Sequence, residues 1–523
     1  MRPAVHALVG LAAVGLVASC VLGGEPFEDS RHHAAIPDPG RCDLVVNVGN
    51  AATALALLND PSHRVFCIQP GDYRALGPLT LSLSGSEASR RYLRFDPASG
   101  PLQAIQQSAR ALFEAIRVRG SWWVIQGLTI QPRDPATYWL LSIEGGDHDV
   151  ADGNLIDGIE HLNPQSAQAG VVIGALFGDP ATHNAVQDNV VRNGNQSRQP
   201  VDYTGIAVLI GYQAGADNDD NAVLDNEVYD WGDGIAIASD RDDCNFAARP
   251  HGTIVDGNDV YITGDKRIDC TSGAPDPNGD CACAENGIDI KPDPGPDPAQ
   301  WTLVTNNRVW GFRPTRFPSL CGGSGALGQA ISSGNQCPGH VLVAGNVVLD
   351  STIGVEATGP GWIIAGNLLY EIRTAVGSAG GSAALLPLST ASDLDVEFNT
   401  IVGADNAYDD MSSNTVARCN VVIDGLGLNG RGGDRGPFHV TAYNFLYRSS
   451  EPNFVGATNQ RFATEAESQN AERCFWRKRW TSPELVCVPF GATTAASPHA
   501  AAAAANCDRN LGAPFGLLPI DYF

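Results

Sequence analysis

The chain has 523 residues, with 58 acidic against 33 basic side chains and a formal charge of -25. Such an acidic balance excludes nucleic acid and anionic membrane surfaces as partners bound through a basic face. It suits cations, neutral glycans, or anionic substrates bridged through a cation such as calcium. Glycine (58) and proline (33) are abundant while charged residues make up only 17%, a composition that favours many short strands and turns over long charged helices.

The first residues set the compartment. Arg2 precedes an apolar run from Ala4 to Ala18, too short for a membrane span and laid out as a secretory signal. Val17 to Cys20 reads VASC, which resembles the lipobox of bacterial lipoproteins; that resemblance implies cleavage after residue 19, lipidation of Cys20 and an envelope or cell-surface location. An ordinary cleavage site with a chance cysteine is the alternative. Thirteen cysteines less Cys20 leave an even 12, suited to disulfides outside the cytoplasm. The pairs nearest in sequence are Cys42 with Cys67, Cys321 with Cys337, and Cys474 with Cys487. Cys281 and Cys283 lack the second ligand pair of a zinc site. Residues 20–40 are polar, carry proline and glycine, show no hydrophobic period and read as a tether.

The folded part is expected from about residue 41. DLVVNV forms a short strand, Asn50 to Asp60 an amphipathic helix with Asn50 as its N-cap, and Arg64 to Arg74 a strand ending on a Pro-Gly turn. A helix, a strand and PGDY in this order resemble the N-terminal cap of secreted right-handed parallel β-helix proteins. From Trp122 the chain becomes a series of short apolar runs, each opened by Asn. GNLIDGI begins at Gly153, DNVVRNG at Asp188, GNDVYITGD at Gly257, GNVVLD at Gly345 and CNVVIDG at Cys419. The shortest Asn-to-Asn interval is 21 residues, seen from Asn346 to Asn367 and from Asn399 to Asn420. Repeats of this length mark stacked units, here an all-β, single-stranded right-handed parallel β-helix over residues 41–450 with inserted disulfide-bearing loops. Residues 451–523 read as a C-terminal cap or irregular appendage, and a monomer is expected.

The chemistry concentrates at ENGIDIK, Glu285 to Lys291. As a strand it turns Ile288 and Ile290 to one side and Asp289 and Lys291 to the other. Aligning the coils on Gly205, Gly234, Gly287 and Gly354 puts Thr204, Asp233, Asn286 and Ile353 in one column. Ala207, Ala236, Asp289 and Glu356 fall in a second, with Asp289 and Glu356 expected as neighbours. Lys291 is one of only three lysines against 30 arginines (33 minus 3). An ammonium can lose its proton to act as a base; a guanidinium cannot. The largest insertion carries Asp240, Arg241, Asp242 and Asp243, a candidate calcium loop. Arg241, Arg313 and Arg316 could hold an acidic sugar, and Trp231 and Trp310 could stack on sugar rings.

Carboxylates and a lysine on an outer sheet face resemble the cleft of pectate-lyase-like β-helix polysaccharide lyases. The resemblance implies a polysaccharide substrate, β-elimination on a uronate, calcium as a possible cofactor, and Lys291, Asp289, Glu356 and Asp233 as the catalytic pool. The sequence departs from that family in placing Lys291 only two residues after Asp289. Two other functions fit the same residues. A glycoside hydrolase would use paired carboxylates, whereas an adhesin-like solenoid would bind glycan without chemistry; a surface ion pair would account for Asp289 and Lys291 in that last case.

Overall fold

The fold was obtained as a computed structural model. It describes residues 33–100, 110–133, 139–158, 169–174, 179–194, 204–209, 218–238, 250–263, 284–313, 328–333, 338–372, 383–387, 391–397, 399–407, 413–418, 420–423, 440–442, 445–447, 460–462, 472–477 and 484–489. Three long parallel sheets account for nearly all of it, two of 14 strands and one of 10. Sheet A begins with Leu44–Val46, sheet B with Gly71–Asp72 and sheet C with Leu79–Leu81. Each coil visits them in the same order. Ile116–Val118 lies in sheet C, Trp123–Gln126 in A, Thr129–Ile130 in B, and Trp139–Ile143 is back in C beside Ile116–Val118. This is a parallel β-helix, with the right-handed coiling that parallel crossovers adopt.

Inward residues stack in columns. Along sheet A the pairing runs Phe66, Leu93, Ile125, Ala151, Val186 and Val223, each almost fully buried. Each buried aliphatic contributes roughly 1.5–3 kcal/mol, which is how strands of three residues persist. Between sheets A and B runs an asparagine ladder through Asn154, Asn189, Asn226, Asn258, Asn307, Asn346, Asn367, Asn399 and Asn420. From Asn189 onward each Oδ1 accepts the backbone N–H and Nδ2 of the asparagine one coil before it, and Asn154 to Asn189 shows both at 2.9 Å; Asn154 Oδ1 itself accepts from Leu128 N–H at 3.0 Å. The residue just before many of these asparagines has positive φ, as at Gly153 (60°), Asp188 (55°), Asp225 (49°) and Asn306 (55°). That explains why the repeats open with GN, DN or NN, since these residue types tolerate the left-handed region.

The N-terminal cap helix is shorter than its sequence period suggests, spanning Ala51–Leu55. Asn50 stands at its N-cap without a side-chain cap bond; its Nδ2 donates instead to Val45 O at 3.0 Å and its Oδ1 accepts from Asn47 N–H at 2.8 Å. The expected tether is docked along its last part, His33 to Gly40. Ala34 and Ile36 pack on the outer apolar stripe of sheet A formed by Val65, Tyr92, Val124 and Val150. Ala34 N–H donates to Gln187 Oε1 at 2.9 Å, Tyr92 OH to Pro37 O at 2.8 Å, and His33 Nε2 lies 2.6 Å from Asp225 Oδ2. Cys42 and Cys67 are disulfide-bonded at the foot of this strap. Cys474 and Cys487 are register partners in an antiparallel pair, Glu472–Arg477 with Glu484–Pro489. Cys20, Cys281, Cys283, Cys321 and Cys337 lie outside the described residues.

Candidate active site on the outer face of sheet C

Sheet C carries ENGIDIK as the strand Asn286–Ile290. Ile288 and Ile290 are fully buried in the core, as their spacing requires. Asp233 pairs in register directly with Asn286, so GNDVYITGD adds no rung between them; its strand Asp259–Tyr261 belongs to sheet B. The expected column Ala207, Ala236, Asp289 also holds. Its continuation does not. The strand Gln329–Ser332, which lies in sequence between Cys321 and Cys337, pairs with Asn286–Ile290 on one side and Ile353–Ala357 on the other. Ser332 sits beside Asp289 and therefore separates it from Glu356. The two carboxyl groups lie two rungs apart, about 10 Å between backbones.

The electrostatics divide these groups. Asp289 is almost fully buried, and Lys291 Nζ lies 3.1 Å from its Oδ2. A carboxylate at that distance favours the charged ammonium, so the pair as it stands counters the neutral lysine a base requires. Glu356 is different. It is 8% exposed, its Oε2 has no hydrogen-bond partner, and burial first, then the charge of Asp289, pushes its carboxyl up to about 7. It is thus poised between its two protonation states at neutral pH, the condition for general acid or base work. Asp233, 2% exposed, accepts a 3.0 Å hydrogen bond from Asn286 Nδ2. Ser332 Oγ donates to Gln329 Oε1 at 3.1 Å. Gln329, Ser332 and the orientation of Asn286 escape sequence reading, because Ala330 stands where the aligned coils carry the glycine that marks this strand.

The remaining candidates separate from this cluster. Trp231, expected to face sugar, is 1% exposed inside the coil, where it abuts Gly194; a Cβ on that glycine would come within 1.9 Å of the indole. Trp310 stands on sheet B, not C, with its ring stacked on Tyr261 at 4.2 Å, and Tyr261 stacks in turn on Tyr229 at 5.0 Å. Rings stacked along the helix axis turn their faces to each other and their edges outward. Arg313 forms an ion pair with buried Asp350 on the turn leading from sheet B. Asp240, Arg241, Asp242, Asp243 and Arg316 lie outside the described residues.

Among the described residues two groups have metal-ligand spacing: Cys42, Cys67 and Asp96, whose two sulfurs are bonded to each other, and Asp147 with His148 and His183. His148 Nδ1 lies 2.7 Å and His183 Nδ1 3.0 Å from the Asp147 carboxylate, and the two imidazoles stack at 4.8 Å with planes 15° apart. Near-parallel stacked rings cannot both aim an in-plane lone pair at one ion between them, so the cluster is a histidine–aspartate contact network.

No protein-family model matches the chain, and no curated protein matches it. Solved structures do. An alginate lyase of the PL6 family, AlyGC, solved as an arginine-to-alanine mutant, aligns with 91% of this chain at 14% identity and a TM-score of 0.54. The alignment spans 57% of that protein's length. The pectate lyase Pel9A aligns with 77% of this chain and 80% of its own at 12% identity and TM-score 0.36. A GH136 lacto-N-biosidase from Eubacterium ramulus aligns with 78% of this chain and 64% of its own at 12% identity and TM-score 0.41. The first of these likenesses shows the fold, a parallel β-helix; function must be argued from the site.

Proposed function

We propose that the protein is a polysaccharide lyase that cleaves a uronate-containing glycan by β-elimination on the outer face of sheet C. The observation that carries this reading is Glu356, a buried carboxyl raised to about 7, two rungs from the Asp289–Lys291 pair. Lys291, kept charged by Asp289, meets the uronate carboxylate and makes the C5 proton more acidic. Glu356 in its ionised form accepts that proton. The C5–H electrons form the C4–C5 double bond, the C4–O bond breaks, and the departing oxygen takes a proton from solvent. Asp233 orients Asn286 beside this pair. Calcium at Asp240, Asp242 and Asp243, and lipid at Cys20, belong to the same proposal, though no step runs through either.

The experiment is incubation of the purified protein with pectate, alginate and glycosaminoglycan panels, with calcium and then with chelator. Near-ultraviolet absorbance from unsaturated ends is expected from at least one polymer, and its absence across the panel overturns the reading. Labelling with radioactive palmitate in a bacterial host tests the anchor.

A second reading rests on the spacing of the two carboxyl groups. A proton-bearing Glu356 and an ionised Asp289 about 10 Å apart at the backbone approach the roughly 6.5–9.5 Å separation of inverting glycosidases. New reducing ends without unsaturation would select it over the lyase.

A further inference from the structure

Two buried acceptors on the outer face of sheet C have no hydrogen-bond partner, Glu356 Oε2 and Asn286 Oδ1. Asn286 is 5% exposed and Glu356 8%. Leaving a buried acceptor unpaired is costly, so two such atoms on one face call for a partner. The Asn286 amide is not free to turn its nitrogen outward. Its Nδ2 donates to Asp233 Oδ1 at 3.0 Å, and a carboxylate oxygen in that position requires a donor, which assigns the oxygen of the amide to the unpaired side.

We infer that Asn286 is a hydrogen-bond acceptor for a hydroxyl group of the saccharide chain whose reacting ring sits at Glu356, with Asp233 as the residue that positions Asn286. This deepens the proposed function and rests on it. Asn286 is followed in its column by Gln329 and Ile353, and Glu356 lies two rungs away and three residues further along the strand direction. The two backbones are therefore about 14 Å apart, from two rung spacings and three strand residues. One sugar ring cannot reach both acceptors. The ligand is a chain of several sugars that crosses the rungs obliquely, and Asp289, Lys291 and Ser332 lie between the two contacts. Asp233, placed by sequence among catalytic groups, becomes a positioning residue, and Asn286 a residue that reads substrate.

The test is calorimetric binding of di-, tetra- and hexasaccharides of mannuronate, guluronate and galacturonate, with cello-oligosaccharides as uncharged probes. Wild-type affinity is expected to rise steeply between the disaccharide and the longer chains of whichever series binds. Asn286→Ala should weaken the hexasaccharide about tenfold, the worth of one buried hydrogen bond, and flatten the dependence on length. Its thermal midpoint should fall, because Asp233 Oδ1 loses the Nδ2 donor along with the unpaired oxygen, so binding is measured well below the onset of unfolding. Asp233→Asn, which frees the amide to turn, should weaken the hexasaccharide in the same direction and guards against a fold defect in the first variant. Unchanged affinity at every length in both variants overturns the inference while leaving the lyase reading intact. Failure of wild type to bind any member of the panel removes the reading itself and the inference with it.

Discussion

Asp149 fills the rung that Asn184 continues: its backbone N–H donates to Asn184 Oδ1 at 2.9 Å, and its own Oδ1 accepts from Trp123 N–H at 2.7 Å. This second, shorter ladder runs on to Asn221, whose Oδ1 accepts from Asn184 N–H at 3.0 Å. Asn184 and Asn221 also give their Nδ2 to carbonyls, Gly146 O and Ala181 O. Asp149 has no such hydrogen when ionised, and its Oδ2 has no partner. Burial pushes its carboxyl well above the usual range; the Trp123 bond opposes this and the charge of Asp147 adds to it.

Asp149→Asn should therefore stabilise the protein in a pH-dependent way. A folded-state value raised above the unfolded one means the native state holds the proton longer, so wild-type stability falls as pH rises from about 4. The loss runs at about 1.4 kcal/mol per pH unit until the folded value is reached. Urea denaturation at pH 4 and pH 7 should show the variant's advantage growing with pH, and an equal difference at both values would refute the account.

Glu356 follows the same sign. Between its ordinary value of 4.5 and about 7 its ionisation opposes folding by roughly 3 kcal/mol in total, so Glu356→Gln should gain stability at pH 8 and almost none at pH 4. On the proposed reading the same variant loses β-elimination activity at every pH, since the group that accepts the C5 proton is gone. Asp289→Asn removes the second cause of the raised value, and any activity it keeps should show the limb set by Glu356 displaced to lower pH.

Asn258 is an internal rung of the long ladder, accepting from Asn226 N–H and Nδ2 at 2.9 and 3.0 Å and donating to Val223 O at 2.9 Å. Asn258→Ala strands these groups in the interior and should cost about 3–5 kcal/mol. Asn258→Asp keeps the acceptor but loses the donor, so its penalty should grow between pH 4 and pH 7. Chemical denaturation of the two variants separates a hydrogen-bond role from mere side-chain volume.

Gly194 leaves the room Trp231 occupies. Gly194→Ala should destabilise by about 1–3 kcal/mol through overpacking, and Trp231→Phe should recover part of that loss in the double variant. Glycan binding by Trp231→Phe is expected to be unchanged, in contrast with a sugar-stacking tryptophan.

The solenoid was legible because its rule is repeated: a left-handed residue, an asparagine, and aliphatics that stack on their counterparts. The columns through Asp233, Asn286 and Asp289 followed from the glycine shared by those coils at residues 205, 234 and 287. Reading stopped where a coil lacked that glycine. Gln329–Ser332 is a strand with Ala330 where the aligned coils carry glycine, so Asp289 and Glu356 were placed one rung too close. Trp231 and Trp310 show another limit, since aromatic identity carries no information on which of three faces a residue takes. Asp149 does an asparagine's work under another name, and the strap at His33 to Gly40 has too few apolar residues to declare a docked segment.

That strap also decides how the molecule would respond to force. It crosses the rungs and ends near Asp225, well along the solenoid, while its covalent root at Cys42 and Cys67 lies at the first coils. A pull on the chain upstream of His33 meets the strap's contacts one at a time, His33 first, then Ala34, Ile36 and Pro37. The load reaches the first coil only after the strap has peeled back to the disulfide. The segment therefore acts as a fuse, yielding length before the sheets that carry Asp289 and Glu356 bear tension.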